Sequence, residues 1–181
     1  MRSFLLATLT VLATQACSES DAILKDAIDA VDANVVFMRH AVAPGFADPD
    51  NFFLSDCSTQ RNLATRGRKQ ARTIGASIQK SGIRFDQILS SEWYRCKETV
   101  KLLGKGHWQT FSRLNSFFQN YADKTTTFRE LEFKLKNKDR GMMFLVTHLV
   151  VTRAAAGASV ASSKLVAFNS VSQQKKIFRL D

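Results

Sequence analysis

Val35-Val36-Phe37-Met38-Arg39-His40-Ala41 decides how the rest of the chain is read. Its first four residues are apolar, too few for a helix, and the run reads as a strand buried in a sheet. The run stops on a basic pair, Arg39-His40, and an irregular stretch with Pro44, Gly45 and Pro49 follows, which is loop chemistry. A buried strand that hands over to an arginine and a histidine places two chemically capable side chains at its carboxyl end.

The alternation continues outward. Upstream, Ile23, Leu24, Ala27, Ile28 and Val31 have helical spacing over residues 20–31. Downstream, a helix is expected from Leu63, with Gly67, Ala71, Ile74 and Ile78 on one face and Gly82 at its end. Ile88-Leu89 leads a strand into Ser90-Ser91, and a further helix is expected from about Glu92 to Leu103. Thr127 with Glu130 three residues on has capping-box spacing, which predicts a helix with Phe128, Leu131 and Leu135 on its inner stripe, broken at Gly141. Met142 to Val146 is the most apolar strand; a helix over Leu149 to Ala156 and a late strand over Leu165 to Phe168 complete the series. Residues 105–125 carry no readable period. Strands alternating with helices predict an α/β fold, a three-layer sandwich whose mostly parallel central sheet has helices on both faces. A chain of 181 residues without an internal repeat suits one domain.

The formal net charge is +10, and such a surface attracts anions. The densest basic spots, Lys175-Lys176 and Arg66, Arg68, Lys69 and Arg72, are short and not interleaved with aromatics, so nucleic acid is not the expected partner. The first residues set the expected compartment. Arg2, the apolar stretch Phe4–Ala13 and small residues up to Ala16 follow the order of a secretory signal, so residues 1–16 are expected to be removed and residues 17–181 to form the domain, periplasmic or secreted. The apolar run is too short to span a bilayer, and no other run qualifies as transmembrane; a lipid anchor at Cys17 is the minority alternative, since Thr14 and Gln15 fit a lipoprotein site poorly. Exported thiols tend to pair, and Cys96, one position past Arg95 on its helix, would turn towards the loop holding Cys57. A Cys57–Cys96 disulfide is therefore expected, with Cys96 buried against Val100 as the alternative.

In open α/β sheets ligands bind beyond the carboxyl ends of the strands. Three groups lie there: Arg39-His40; Ser90-Ser91 followed by Arg95 and Thr99 one helical turn apart; and Thr147-His148. Two of the chain's three histidines thus follow apolar strands; the third, His107, lies in the unreadable region and is given no role. The set suits phosphoryl transfer. A neutral imidazole nitrogen can attack phosphorus, and arginines offer donors that match the equatorial oxygens. Metal-ligand spacing is absent, with neither HExxH nor a CxxC pair, so no metal or other cofactor is expected.

These segments also resemble a known family. VVFMRHA (35–41), RNLATRGRKQA (61–71), ILSSEWYRCKETVKLL (88–103) and FLVTH (144–148) are similar to the motifs of the histidine phosphatase superfamily, with its phosphoglycerate mutase-like fold. The resemblance runs from about residue 34 to residue 168. It implies His40 as nucleophile, with Arg39, Arg95 and His148 completing a phosphate pocket. The departures are Ala41 for the usual Gly, Ala64 for the usual Thr, so that Thr65 would cap one residue late, and Leu149 where many members carry an Asp. No general acid carries over, which leaves Asp56 and Glu92 as candidates. The expected activity is phosphomonoester hydrolysis of a phosphorylated small molecule, for which analogy with short exported members suggests a sugar phosphate. A protein phosphohistidine phosphatase, a non-catalytic phosphate-binding module and a basic nucleic-acid or membrane-surface binder are the alternatives.

Overall fold

A computed structural model of the chain describes residues 19–138 and 141–181. The expected signal segment 1–16 and Cys17 lie outside the described residues. The helices are α1 (Glu19–Asp29), α2 (Thr65–Lys80), α3 (Tyr94–Leu103), α4 (Lys124–Lys136) and α5 (Leu149–Ala156). The strands are β1 (Val35–Arg39), β2 (Gln87–Ser90), β3 (Gln109–Thr110), β4 (Met143–Thr147), β5 (Leu165–Phe168) and β6 (Lys175–Phe178). They form one six-stranded sheet in the order β3-β2-β4-β1-β5-β6. The pairs β1–β4, β2–β4 and β2–β3 are parallel, whereas β5 runs antiparallel to both β1 and β6.

The apolar strands alternate their side chains between two cores. Val36, Met38, Phe144 and Val146 pack with Leu24, Ile74, Ile78 and Val100, which seats α1, α2 and α3 on one face. Val35, Phe37, Met143 and Leu145 pack with Leu131, Leu135 and Val151, which seats α4 and α5 on the other. This is the expected three-layer sandwich.

Several local expectations shift. Helix α2 starts at Thr65 with Ala64 as its cap and no side-chain capping bond, so Thr65 does not cap it. Instead the Ala64 N–H donates to the Val42 carbonyl, fastening the helix start to the loop that follows β1. Helix α4 is capped by Asp123, which accepts from the Thr126 N–H; Thr127 is buried inside the first turn and Glu130 pairs with Arg113, so the expected capping box is not formed. An acidic residue nearer the amino end out-competes Thr127 for the exposed N–H groups. Phe128 sits at the edge of the stripe, 38% exposed, while Leu131 and Leu135 are buried as expected. Among the described residues no helix is long and apolar enough to cross a membrane.

What matters for the site is register. Arg39 pairs with Thr147 and Ser90 with Val146, and the ladder extends one step further. The His40 N–H donates to the Thr147 carbonyl at 3.0 Å and the Ser91 N–H to the Val146 carbonyl at 2.9 Å. His40, Ser91 and His148 therefore leave the sheet side by side at one edge.

Candidate active site

Three parallel strands bring together the residues that sequence spacing singled out. The rings of His40 and His148 lie 5.4 Å apart, edge to face, and both are buried. Arg95, buried on the first turn of α3, reaches between them: its Nε donates to His40 Nε2 at 3.3 Å and its Nη2 faces His148 Nδ1 at 3.5 Å. Arg39, His40, Arg95 and His148 line a single cavity of about 340 Å³, shared with Asp48, Arg61, Arg153 and a rim that includes Phe46 and Phe118.

Hydrogen bonding fixes the rings. His40 Nδ1 lies 2.8 Å from the Ala41 carbonyl, which can only accept, so this nitrogen carries the proton. The Nε2 lone pair is left facing Arg95 and the cavity. Burial, then the charge of Arg95, push the His40 pKa well below the usual 6.5, so the ring is neutral. His148 is held neutral by the same two causes, with His40 a further contributor. Because Arg95 only donates, His148 Nδ1 is unprotonated and its Nε2–H donates to Ser91 Oγ at 2.9 Å. Ser91 passes its own hydroxyl proton to Asn115 Oδ1 at 3.0 Å. That oxygen also accepts the Glu92 N–H at 2.9 Å, and the Asn115 amide nitrogen donates to the Glu92 carboxylate at 2.6 Å. A chain of four residues thus sets the tautomer of His148.

Asp48 was not foreseen. Its carboxylate takes two donors from Arg95, at 2.7 and 3.1 Å, the Trp93 indole N–H at 3.0 Å and the Arg61 N–H at 3.0 Å. Burial pushes this carboxyl up, but the bonds and charge of Arg95, helped by Arg61 and Trp93, outweigh that and hold it below the usual carboxylate range. The planar fork of Arg95 therefore grips Asp48, and its Nε is the edge turned to His40. Arg61 was missed as well; its side chain donates to the carbonyls of Ala43 and Gly45 and lines the cavity. The Nε atoms of Arg39 and Arg61 are buried without a hydrogen-bond partner, a costly state that an oxyanion among these guanidiniums would relieve. Asp48 lies in the irregular Pro44–Pro49 stretch and Arg61 just before α2, where neither periodicity nor strand-end position marks them.

The two acid candidates lie elsewhere. Asp56 is exposed, caps the turn Cys57–Thr59 and accepts from Ser58, which holds its carboxyl below the usual range. Glu92 closes the relay behind His148 rather than lining the cavity. The expected disulfide is also absent: Cys57 and Cys96 are both free. Cys57 is exposed, whereas Cys96 faces inward, its Sγ 3.5 Å from His148 Nε2, and packs in the same core as Val100. The turn past Arg95 points into the core and not at the loop, and burial pushes the Cys96 thiol up to about 12, so it is inert.

Comparison with known proteins bears on the family and the fold. The sequence profile of the histidine phosphatase superfamily (branch 1) matches residues 35–133. No curated protein matches in sequence. Among solved structures, the protein histidine phosphatase SixA complexed with tungstate superimposes with a TM-score of 0.54 at 16% identity, covering 80% of this chain and 93% of that one. A SixA provisionally designated a phosphohistidine phosphatase, from Agrobacterium tumefaciens, gives 0.55 at 19% identity over 80% and 94%. A protein from Escherichia coli K-12, provisionally designated an alpha-ribazole-5′-P phosphatase, gives 0.56 at 16% identity over 81% and 95%. At these identities the likeness is one of fold.

Proposed function

The chain belongs to the histidine phosphatase superfamily, branch 1, and is a histidine-type phosphatase; from that premise we propose that it hydrolyses phosphomonoesters by passing the phosphoryl group through His40 Nε2. The observation that carries the proposal is the state of the His40 ring. It is buried and neutral, its Nδ1–H is tied to the Ala41 carbonyl, and its Nε2 lone pair faces the guanidinium-lined cavity. In the first step Nε2 forms a bond to phosphorus as the bond to the leaving oxygen breaks and its electron pair departs with that oxygen. The Nδ1 proton stays on the ring, and the positive charge of the phosphorylated imidazole is shared with the Ala41 carbonyl. Arg39, Arg61 and the Nε edge of Arg95 supply donors to the equatorial oxygens. Water then attacks phosphorus, the P–N bond returns its pair to Nε2, and the water proton passes to solvent. His148 stands beside the transferring group with its unprotonated Nδ1 inward. We further place the protein outside the cytoplasm, a reading supported by the pattern of residues 2–16.

Incubation of purified protein with phosphate esters tests the activity. Steady release of inorganic phosphate over many turnovers is expected, with His40→Ala reducing it by ~10⁴-fold or more while the fold persists. Stoichiometric phosphate binding without turnover would instead identify a non-catalytic module.

A further inference from the structure

The cavity has a depth gradient that bears on the leaving group. His40, His148 and Arg95 at the floor are 2%, 3% and 3% exposed, whereas Phe46 and Phe118 at the rim are 82% and 39% exposed. In-line displacement sends the leaving group away from the nucleophile, and here that is outward, from the buried histidine to the rim. Phe46 and Phe118 contact each other edge to face at 5.3 Å, and Leu149 and Val150 line the same cavity. The leaving group thus departs past aromatic and aliphatic carbon.

The carboxylate and the second imidazole beside its path are engaged elsewhere. Asp48 is the carboxylate among the described lining residues, and four N–H donors from Arg95, Trp93 and Arg61 hold it ionised. The ring proton of His148 is on Nε2, donated to Ser91. The Tyr121 ring packs on Phe52 at 4.4 Å and Trp93 at 6.0 Å, and burial with the charges of Asp48 and Asp50 pushes its phenol pKa up, which makes it a poorer proton donor than a carboxylic acid.

Resting on the phosphatase reading above, we propose that this site selects phosphorylated compounds whose leaving group departs as a stabilised anion, aryl phosphates above all, with the aryl ring seated against Phe46 and Phe118. The P–O bond breaks without proton donation: Nε2 gains phosphorus, the phenolate carries off the electron pair and takes its proton from solvent later. An alkoxide leaving group, such as that of a sugar phosphate, lacks this ease of departure. Ring contacts of this kind need an apolar face on the ligand rather than particular substituents.

Measurement of kcat/KM, which reports the step up to the phosphoenzyme, on p-nitrophenyl, phenyl and benzyl phosphate and on acetyl phosphate tests the proposal. Benzyl phosphate keeps the ring and replaces phenolate by alkoxide. A positioned general acid contributes ~10²–10⁴-fold, so a site without one should turn over benzyl phosphate at least ~100-fold less efficiently than p-nitrophenyl phosphate. A smaller gap overturns the leaving-group selectivity. Phe118→Ala should cost phenyl phosphate ~3–10-fold more than acetyl phosphate; equal losses, or preference of the unaltered protein for acetyl phosphate over all aryl esters, overturn the aromatic seat. Inertness towards all four compounds would remove the phosphatase reading itself and this inference with it.

Discussion

Arg95 shows how one side chain can organise a site from its several edges. Its fork holds Asp48, its Nε meets the lone pair of His40, and its Nη2 meets the lone pair of His148. Because a guanidinium has donors only, it fixes both histidine tautomers at once. His148 is then held from behind by Ser91, Asn115 and Glu92, each within 3.0 Å of the next. This relay assigns Asn115 and Glu92 positioning roles. Asn115→Ala should lower kcat by up to ~100-fold with a smaller change in KM, since His148 loses its orientation and not its contact with substrate. A ¹⁵N spectrum of the ring should show the unaltered protein with the proton on His148 Nε2 and the variant as a mixture of tautomers. An unchanged spectrum with lost activity would remove the relay from the account. The sequence put Ser91, Glu92, Arg95 and His148 at or near strand ends but not the link between them, because Asn115 falls in the stretch 105–125, whose turns Ser112–Leu114 and Phe118–Asn120 leave no period to read.

At the scale of elements, the loop that carries His40 is positioned by a close approach. A Cβ at Gly67 of α2 would lie 2.2 Å from the Val42 carbonyl oxygen and 2.9 Å from the Val42 nitrogen, so helix and loop backbones touch there. Helix propensity alone would make Gly67→Ala stabilising by ~1 kcal/mol. The steric conflict reverses the sign, and the variant should be destabilised by ~1–3 kcal/mol. It should also lose activity, because the loop must shift with His40 attached. A denaturant midpoint equal to or above that of the unaltered protein would show that the loop yields without cost. The sequence exposed Gly67 as a member of the buried face with Ala71, Ile74 and Ile78, but a face does not reveal which backbone lies against it. The same limit explains the cysteines. Spacing from Arg95 gave the direction of Cys96 relative to the helix axis, while packing of α3 on the sheet decided that this direction is inward.

For the whole molecule, what the sequence made legible was the part set by burial. Short apolar runs mark β1, β2, β4 and β5, and the strand-end rule then gathers Arg39, His40, Arg95 and His148 at one edge of the sheet, where the cavity lies. The late strand β5 turned out antiparallel, which an apolar run cannot disclose because burial on both faces looks alike in either direction. Asp48 and Arg61 were hidden because loop residues acquire their meaning from tertiary contacts. Burying two neutral histidines has a cost for the molecule that can be measured. Each has a folded pKa well below the usual 6.5, so below pH 6.5 the unfolded chain binds more protons than the folded one. Stability is therefore full above pH 6.5 and falls as pH drops below it, with a slope approaching ~1.4 kcal/mol per pH unit for each histidine. Asp48, depressed below its usual 3.8, contributes its loss only at lower pH and leaves this window to the histidines. Denaturant midpoints at about pH 7 and about pH 5.5 should differ accordingly, and less so in His40→Gln; a flat profile would contradict neutral burial.

The central claim is that His40 Nε2 receives the phosphoryl group. Rapid mixing with p-nitrophenyl phosphate, quenching in base to preserve the P–N bond, and ³¹P–¹⁵N correlation with peptide mass spectrometry would locate it. The account predicts one phosphoryl group on His40, bonded through Nε2, formed and consumed fast enough for turnover. Phosphorylation at Nδ1, at His148 or at another residue, or turnover with His40 unmodified throughout, would contradict it.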